Sequence, residues 1–156
     1  MIERTAEGLY CQAADAWVDP WRPVPRALIT HAHADHARAG CGEYWAVDVS
    51  EGVLRQRLGQ EITLHPVRYG EPLWLGQCKV SFHSAGHVLG SAQIRLESQG
   101  EVWVVSGDYK RDDDPSCAPF EPVACDVLIT EATFGMPIYR WKPGCELAAE
   151  IQDWWQ

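Results

Sequence analysis

The sequence predicts a mixed α/β fold whose strand ends carry a polar site. Three observations predict it. Short apolar runs end directly on clusters of His, Asp and Gly. Two longer segments alternate apolar and polar residues with the period of a half-buried strand. Two further stretches have helical spacing, one in the first half and one at the end. At 156 residues the chain is long enough for one domain with its own core.

In chain order, residues 26–30 (Arg-Ala-Leu-Ile-Thr) read as a buried strand that delivers its C-terminal end to a site. Residues 44–47 form a second short strand. Ser50 is placed to cap a helix over residues 51–58, with Val53, Leu54 and Leu58 at helical spacing. Cys78, Val80 and Phe82 alternate with Lys79, Ser81 and His83, and Ala92, Ile94 and Leu96 alternate with Gln93, Arg95 and Glu97. Residues 98–101 make a hairpin turn. Residues 102–105 and 127–130 are continuous apolar strands, separated by an Asp- and Pro-rich loop at 112–122. Residues 146–155 are helical, with Leu147, Ile151, Trp154 and Trp155 on one side. Large aromatics in such a place call for a core or a partner.

Apolar residues make up 46% of the chain, too many for a disordered protein. No apolar run approaches a membrane span, and no export signal opens the sequence, so a cytoplasmic location is expected and no membrane partner. The six cysteines contain no Cys-x-x-Cys pair, so reduced thiols are expected rather than a zinc knuckle. The net charge of −9 counts against nucleic-acid binding. Bound cations would offset that argument, because they both neutralise acids and grip phosphate.

The chemistry concentrates in His31-Ala32-His33-Ala34-Asp35-His36. His31 and His33, two apart on an extended loop, point to one side, and Asp35 and His36 follow on a turn. Four potential ligands in six residues, separated only by alanines, have no packing explanation. Imidazole with carboxylate suits zinc, with manganese or iron as alternatives. His87 is a lone histidine, but glycines flank it and an alternating strand precedes it. Asp108 follows a strand in Ser106-Gly107-Asp108, where a carboxylate can bridge two metals or simply close an Asx turn. Asp19 lies before the first buried strand and either orients the His loop or caps its own. Glu131 follows the last strand as a supporting acid or a turn residue. His65 reads as structural, and His83 as a residue near the site but not a ligand.

The order His31-x-His33-x-Asp35-His36, His87, Asp108 resembles the metallo-β-lactamase superfamily. Residues 85–92 (Ala-Gly-His-Val-Leu-Gly-Ser-Ala) and 131–135 (Glu-Ala-Thr-Phe-Gly) look like its β-CASP branch of nucleases. Residues 19–24, 106–111 and 137–141 resemble bacterial ligase-associated DNA exonucleases, relatives of Artemis-type repair nucleases. The resemblance runs from Leu9 onward.

It implies an αββα sandwich with a di-metal site at one edge. His31, His33 and His87 would hold the first metal, Asp35 and His36 the second, and Asp108 would bridge. Asp19 and Glu131 would support the ligand loops. Asp35 and His36 would serve catalysis, with a metal-activated hydroxide attacking phosphorus and Asp35 accepting a proton. The implied substrate is DNA, with RNA as the alternative, and DNA ligase and helicase are the implied repair partners. Family members are about twice this length and carry further histidines. Residues 1–133 are therefore expected to be the N-terminal part of the metallo-β-lactamase domain, and 134–156 the start of a β-CASP cap. Competing expectations are a thioesterase- or lactamase-type hydrolase of the same superfamily, or a metal-binding fragment without activity.

Overall fold

The computed structural model describes residues 1–140, 142 and 144–155. Trp141, which belongs to one of the family-like words, lies outside the described residues, as do Pro143 and Gln156. Among the described residues, eleven strands form two sheets, with few helices.

The first sheet holds six strands in sequence order: β1 (Ile2–Arg4), β2 (Leu9–Cys11), β3 (Ala16–Val18), β4 (Arg26–Leu28), β5 (Glu43–Val47) and β6 (Leu64–Val67). β1 to β3 pair antiparallel, and β3 to β6 run parallel. The second sheet runs β11 (Val127–Ile129), β10 (Glu101–Val105), β9 (Ala92–Ser98), β8 (Cys78–Ser84) and β7 (Leu73–Leu75). It is antiparallel except where β11 lies parallel to β10. Gln99 and Gly100 link β9 to β10 with φ of 54° and 83°, the two left-handed residues that a tight hairpin needs.

Two cores follow from the pleat. Val18, Leu28, Trp45 and Val47 of the first sheet pack on Val80, Phe82, Ile94 and Leu96 of the second. On the other face of the first sheet, Ala27, Ile29, Tyr44 and Ala46 pack with Leu54 of helix α1 (Glu51–Leu58). Beyond their first residues, Arg26 and Glu43, the β4 and β5 residues thus feed one core or the other, which is why these strands read as continuous apolar runs.

Two expectations need correction, and the expected α/β fold is met in its two sheets. Ser50 does not cap α1: it sits in a 3-10 turn, and its hydroxyl donates back to the Val47 carbonyl at 2.7 Å. Leu28 ends β4 and Ile129 ends β11, so Thr30 and Thr130 both lie beyond their strands. Among the described residues no helix covers the outer face of the second sheet. The 112–122 loop lies there instead, tied down by Gln93 Nε2 donating to Glu121 O and Ser84 Oγ donating to Ala118 O. Helix α2 (Gly144–Trp155) buries none of its residues, and Trp154 and Trp155 are 79% and 88% exposed.

Candidate metal centre

The site gathers where β4, β10 and the loop before β9 meet. The Ala92 N–H donates to the Thr30 carbonyl at 2.8 Å, binding the end of the first sheet to the start of β9. Beyond Thr30 the chain turns once. The N–H groups of His36 and Ala37 both donate to the His33 carbonyl, which folds His36 back so that its ring lies 4.1 Å from that of His31. Ala32 and Ala37 are buried in the α1 core and anchor this turn, while Ala34 is exposed.

The second wall comes from two loops pressed together. The Lys110 N–H donates to Ala85 O at 3.0 Å, and Gly86, at φ 69°, runs so close that a Cβ would stand 2.3 Å from Lys110 O. Only glycine fits that approach. Ser91 Oγ accepts the N–H groups of His87 and Val88 and fixes the His87 loop. His87 and Asp108 therefore face the His31 turn from the opposite side.

His31 Nε2 lies 2.9 Å from His33 Nδ1, and His87 Nε2 lies 3.4 Å from the same atom. Asp108 Oδ2 stands 3.9 Å from His31 Nε2 and 3.7 Å from His87 Nε2. These four ligand atoms fall within 4.8 Å of one another. Donors around a tetrahedral zinc at 2.0–2.1 Å would lie about 3.3 Å apart, so the N3O set fits a divalent cation. The other oxygen of the same carboxylate, Asp108 Oδ1, is 3.3 Å from His36 Nε2, and Asp35 Oδ2 is 3.6 Å from that nitrogen. One carboxylate thus presents an oxygen to each of two donor groups.

A hydrogen-bonded chain sets the tautomers. Asp19 Oδ2 accepts from Thr30 Oγ1 at 2.5 Å and from His36 Nδ1 at 2.7 Å, and Asp19 Oδ1 accepts the Thr30 N–H at 2.8 Å. A carboxylate only accepts, so the His36 proton sits on Nδ1 and the Nε2 lone pair faces Asp108. Thr30 Oγ1, donating to Asp19, accepts from His31 Nδ1 at 3.1 Å, which leaves His31 Nε2 bare toward the cluster.

The two groups differ electrically. Burial, helped by the neighbouring imidazoles of His36, His33 and His87, pushes His31 down to about 2. Burial also lowers His87, and the Asp108 charge opposes it. For His36 burial again acts downward, but the Asp19 hydrogen bond and the charges of Asp19, Asp108 and Asp35 outweigh it and raise the group.

The structure brings His31, His33, Asp35, His36, His87 and Asp108 together, with Asp19 against His36. Glu131 lines the same cleft as Asp35, His36 and Asp108, but its carboxylate accepts from the Thr133 N–H of its own loop. His65 stacks on Trp45 and is structural. His83 bonds Ser81 and Glu121, away from the cluster. Sequence reasoning missed Thr30, the residue that joins Asp19 to both His31 and His36. It also missed Gly107, where a Cβ would stand 2.6 Å from Thr30 Cβ, so that the missing side chain is what lets Thr30 approach. A threonine at a strand end carries no signal of its own, and its place directly before His31 was the one available hint.

A cluster of three imidazoles and a carboxylate on these loops defines a candidate metal centre. No family model matches the chain. A probable DNA ligase of Opitutus terrae is 32% identical over 149 residues, covering 94% of this chain and 14% of that protein. Ribonuclease TTHA0252 of Thermus thermophilus is 34% identical over 144 residues, 75% of this chain and 33% of that protein. Endoribonuclease YSH1 of Mycosarcoma maydis is 28% identical over 152 residues, 74% of this chain and 17% of that protein. A crystal structure of a protein of unknown function from Enterococcus faecalis V583 superposes with TM-score 0.48 and 12% identity, over 55% of this chain and 25% of that one. The chain is thus a homologue of the β-CASP nucleases of the metallo-β-lactamase superfamily. It spans about a third or less of the length of these curated relatives.

Proposed function

We propose that the protein of which this chain forms all or part hydrolyses nucleic-acid phosphodiester bonds with two divalent cations, most simply zinc. The observation that carries this reading is the division of Asp108, with Oδ2 facing His31 and His87 and Oδ1 facing His36. His31, His33 and His87 would hold one ion, and Asp35 and His36 the other. Cations bound there would supply Lewis acidity, acidifying a water and neutralising charge on phosphoryl oxygens. The chain's own groups do the rest. Asp19 and Thr30 fix the His36 and His31 rings with Nε2 facing the cluster, so neither imidazole must rotate to act as ligand. Asp35 is the most solvent-exposed carboxylate of the cluster, with 76% of its side chain open, and is placed to accept a proton from a reacting water. Glu131 supports the loop it caps.

The fold proposed is the N-terminal part of an αββα metallo-β-lactamase sandwich over residues 1–133, with 134–156 opening a β-CASP cap. The exposed apolar side of α2 supports the second assignment. DNA is the preferred substrate, cut from its ends in a cytoplasmic repair system with ligase and helicase. The likeness to a probable DNA ligase over 94% of this chain supports that choice. The ribonuclease relatives favour RNA as the second reading. The test is cleavage of end-labelled single-stranded DNA and RNA of equal length, with Mn²⁺ or Zn²⁺, by the wild type and the Asp35→Ala and His36→Ala variants. Stepwise shortening of the DNA that both variants abolish supports the reading. Turnover that persists in both variants sinks it.

A further inference from the structure

A cleft of about 430 Å³ opens beside the His36–Asp108 half of the cluster. Its polar floor is Asp19, Asp35, His36 and Asp108, and Trp21 and Arg38 form part of its lining. Trp21 stands two residues beyond Asp19, on the loop that the Asp19–His36 contact holds in place. Its backbone is pinned by the Trp21 N–H donating to Glu7 O at 2.7 Å. The indole itself is 46% exposed, although it is the kind of side chain that folding normally buries. The Arg4 guanidinium lies 5.2 Å from the indole centroid, over one face of the ring. The chain therefore spends a cation–π contact on holding an aromatic plate open at the rim of the metal cleft. Arg38 is also exposed and places a second cation at that rim.

An aromatic plate beside cations is the chemistry that binds unpaired bases. The ring takes the base by stacking, and a free guanidinium takes a neighbouring phosphate. We infer that Trp21 is the stacking platform for an unpaired nucleobase next to the phosphate held at the cluster, with Arg4 bracing the ring and Arg38 contacting the backbone. This inference rests on the nuclease reading for its substrate class, but not for its measurement. It commits the cleft to single-stranded nucleic acid, because a base inside a duplex has no free face to offer. The overall charge of −9 does not oppose it, since the acids of this cleft are the ones that cations would cover.

The test is binding without turnover. Fluorescein-labelled eight-nucleotide oligo-dT, and an abasic strand of the same length, both with phosphorothioate linkages that resist cleavage, are titrated with the Zn²⁺-loaded full chain and followed by anisotropy. Trp21→Ala should weaken oligo-dT binding about tenfold and leave abasic-strand binding unchanged. Trp21→Phe should recover most of the loss. Trp74→Ala, which removes an exposed tryptophan on β7 at the far edge of the second sheet, should bind as the wild type does. Equal losses for both strands, no loss at all, or no binding of oligo-dT by the wild type would overturn the inference. Hydrolysis of bis-p-nitrophenyl phosphate by the metal-loaded wild type is scored separately. Its absence would count against the nuclease reading while leaving the base-stacking result to stand or fall alone.

Discussion

The two halves of the cluster share Asp108 and differ in almost everything else. The His31–His33–His87 half is all imidazole around one carboxylate oxygen, with the His31 ring fully buried. Burial drives the proton off His31 and also lowers His87. The Asp35–His36 half is rich in carboxylate, and its histidine is held toward the protonated state by Asp19, Asp108 and Asp35. The first half excludes positive charge until a ligand bond repays it. The second attracts positive charge of any kind, a proton included. Imidazole ligation selects borderline metals, whereas mixed carboxylate sites accept harder ones. With metal bound as proposed, the first half would be the selective one, and the second would compete with protons.

The comparison breaks most directly at the shared residue. Asp108→Ala should remove one ligand oxygen from each half and lower phosphodiesterase activity on the order of a thousandfold, read as initial rate on labelled DNA. A variant that keeps its rate would show that the halves are independent. Gly107→Ala comes next. A Cβ there would stand 2.6 Å from Thr30 Cβ at a φ of 55°, pressing on the residue that joins both halves. The expected loss is about 3 kcal/mol of folding stability, read by urea unfolding, and an unchanged midpoint would mean that Thr30 yields freely.

Asp19→Asn sharpens the difference between the halves. Asp19 has a φ of 43°, which asparagine tolerates, so the loop keeps its shape while His36 loses its anionic support. Metal affinity at the second half should fall by about 10- to 100-fold, and that of the first half, which feels Asp19 only through Thr30, by less, by isothermal titration calorimetry. Equal weakening of both would contradict the asymmetry.

Acid should act on the two halves with opposite sign. His31 is pushed down to about 2 in the folded protein, so its contribution is complete above its ordinary value near 6.5 and is lost as pH falls below it. His36 is raised, so its contribution is complete below that ordinary value and fades as pH rises through the folded one. Between pH 7 and 5 the metal-free wild type should lose about 2 kcal/mol more than His31→Asn, measured by chemical unfolding at both pH values. The smallest effect is expected far from the cluster. Trp154→Ala and Trp155→Ala, on the exposed side of α2, should change stability by less than about 0.5 kcal/mol. A larger loss would show that α2 packs on the body.

Much of this was legible in the residues. The His31–His36 run, His87 and Asp108 announced themselves by residue type, the long strands β8 and β9 by their alternation, and β10 by its continuous apolar run. Strands β1, β2, β3 and β7 were not legible, because each is three residues long and too short to show a period. β6 was hidden by Pro66 and His65, acceptable on the outermost strand of its sheet but poor strand signals. The Ser50 cap failed because a 3-10 turn already occupies the start of α1 and claims the hydroxyl. A bridging Asp108 was expected from its place after a strand; which oxygen faces which group was not, since that depends on two loops pressed together at Gly86 and Lys110.

The sharing of Asp108 is tested most directly by counting ions. Metal-free protein is equilibrated with excess Zn²⁺, passed through a desalting column, and measured for metal and protein by elemental analysis. Two ions per chain in the wild type, falling below one in Asp108→Ala, is the predicted result. One ion or none in the wild type, or two ions that survive the substitution, would contradict it.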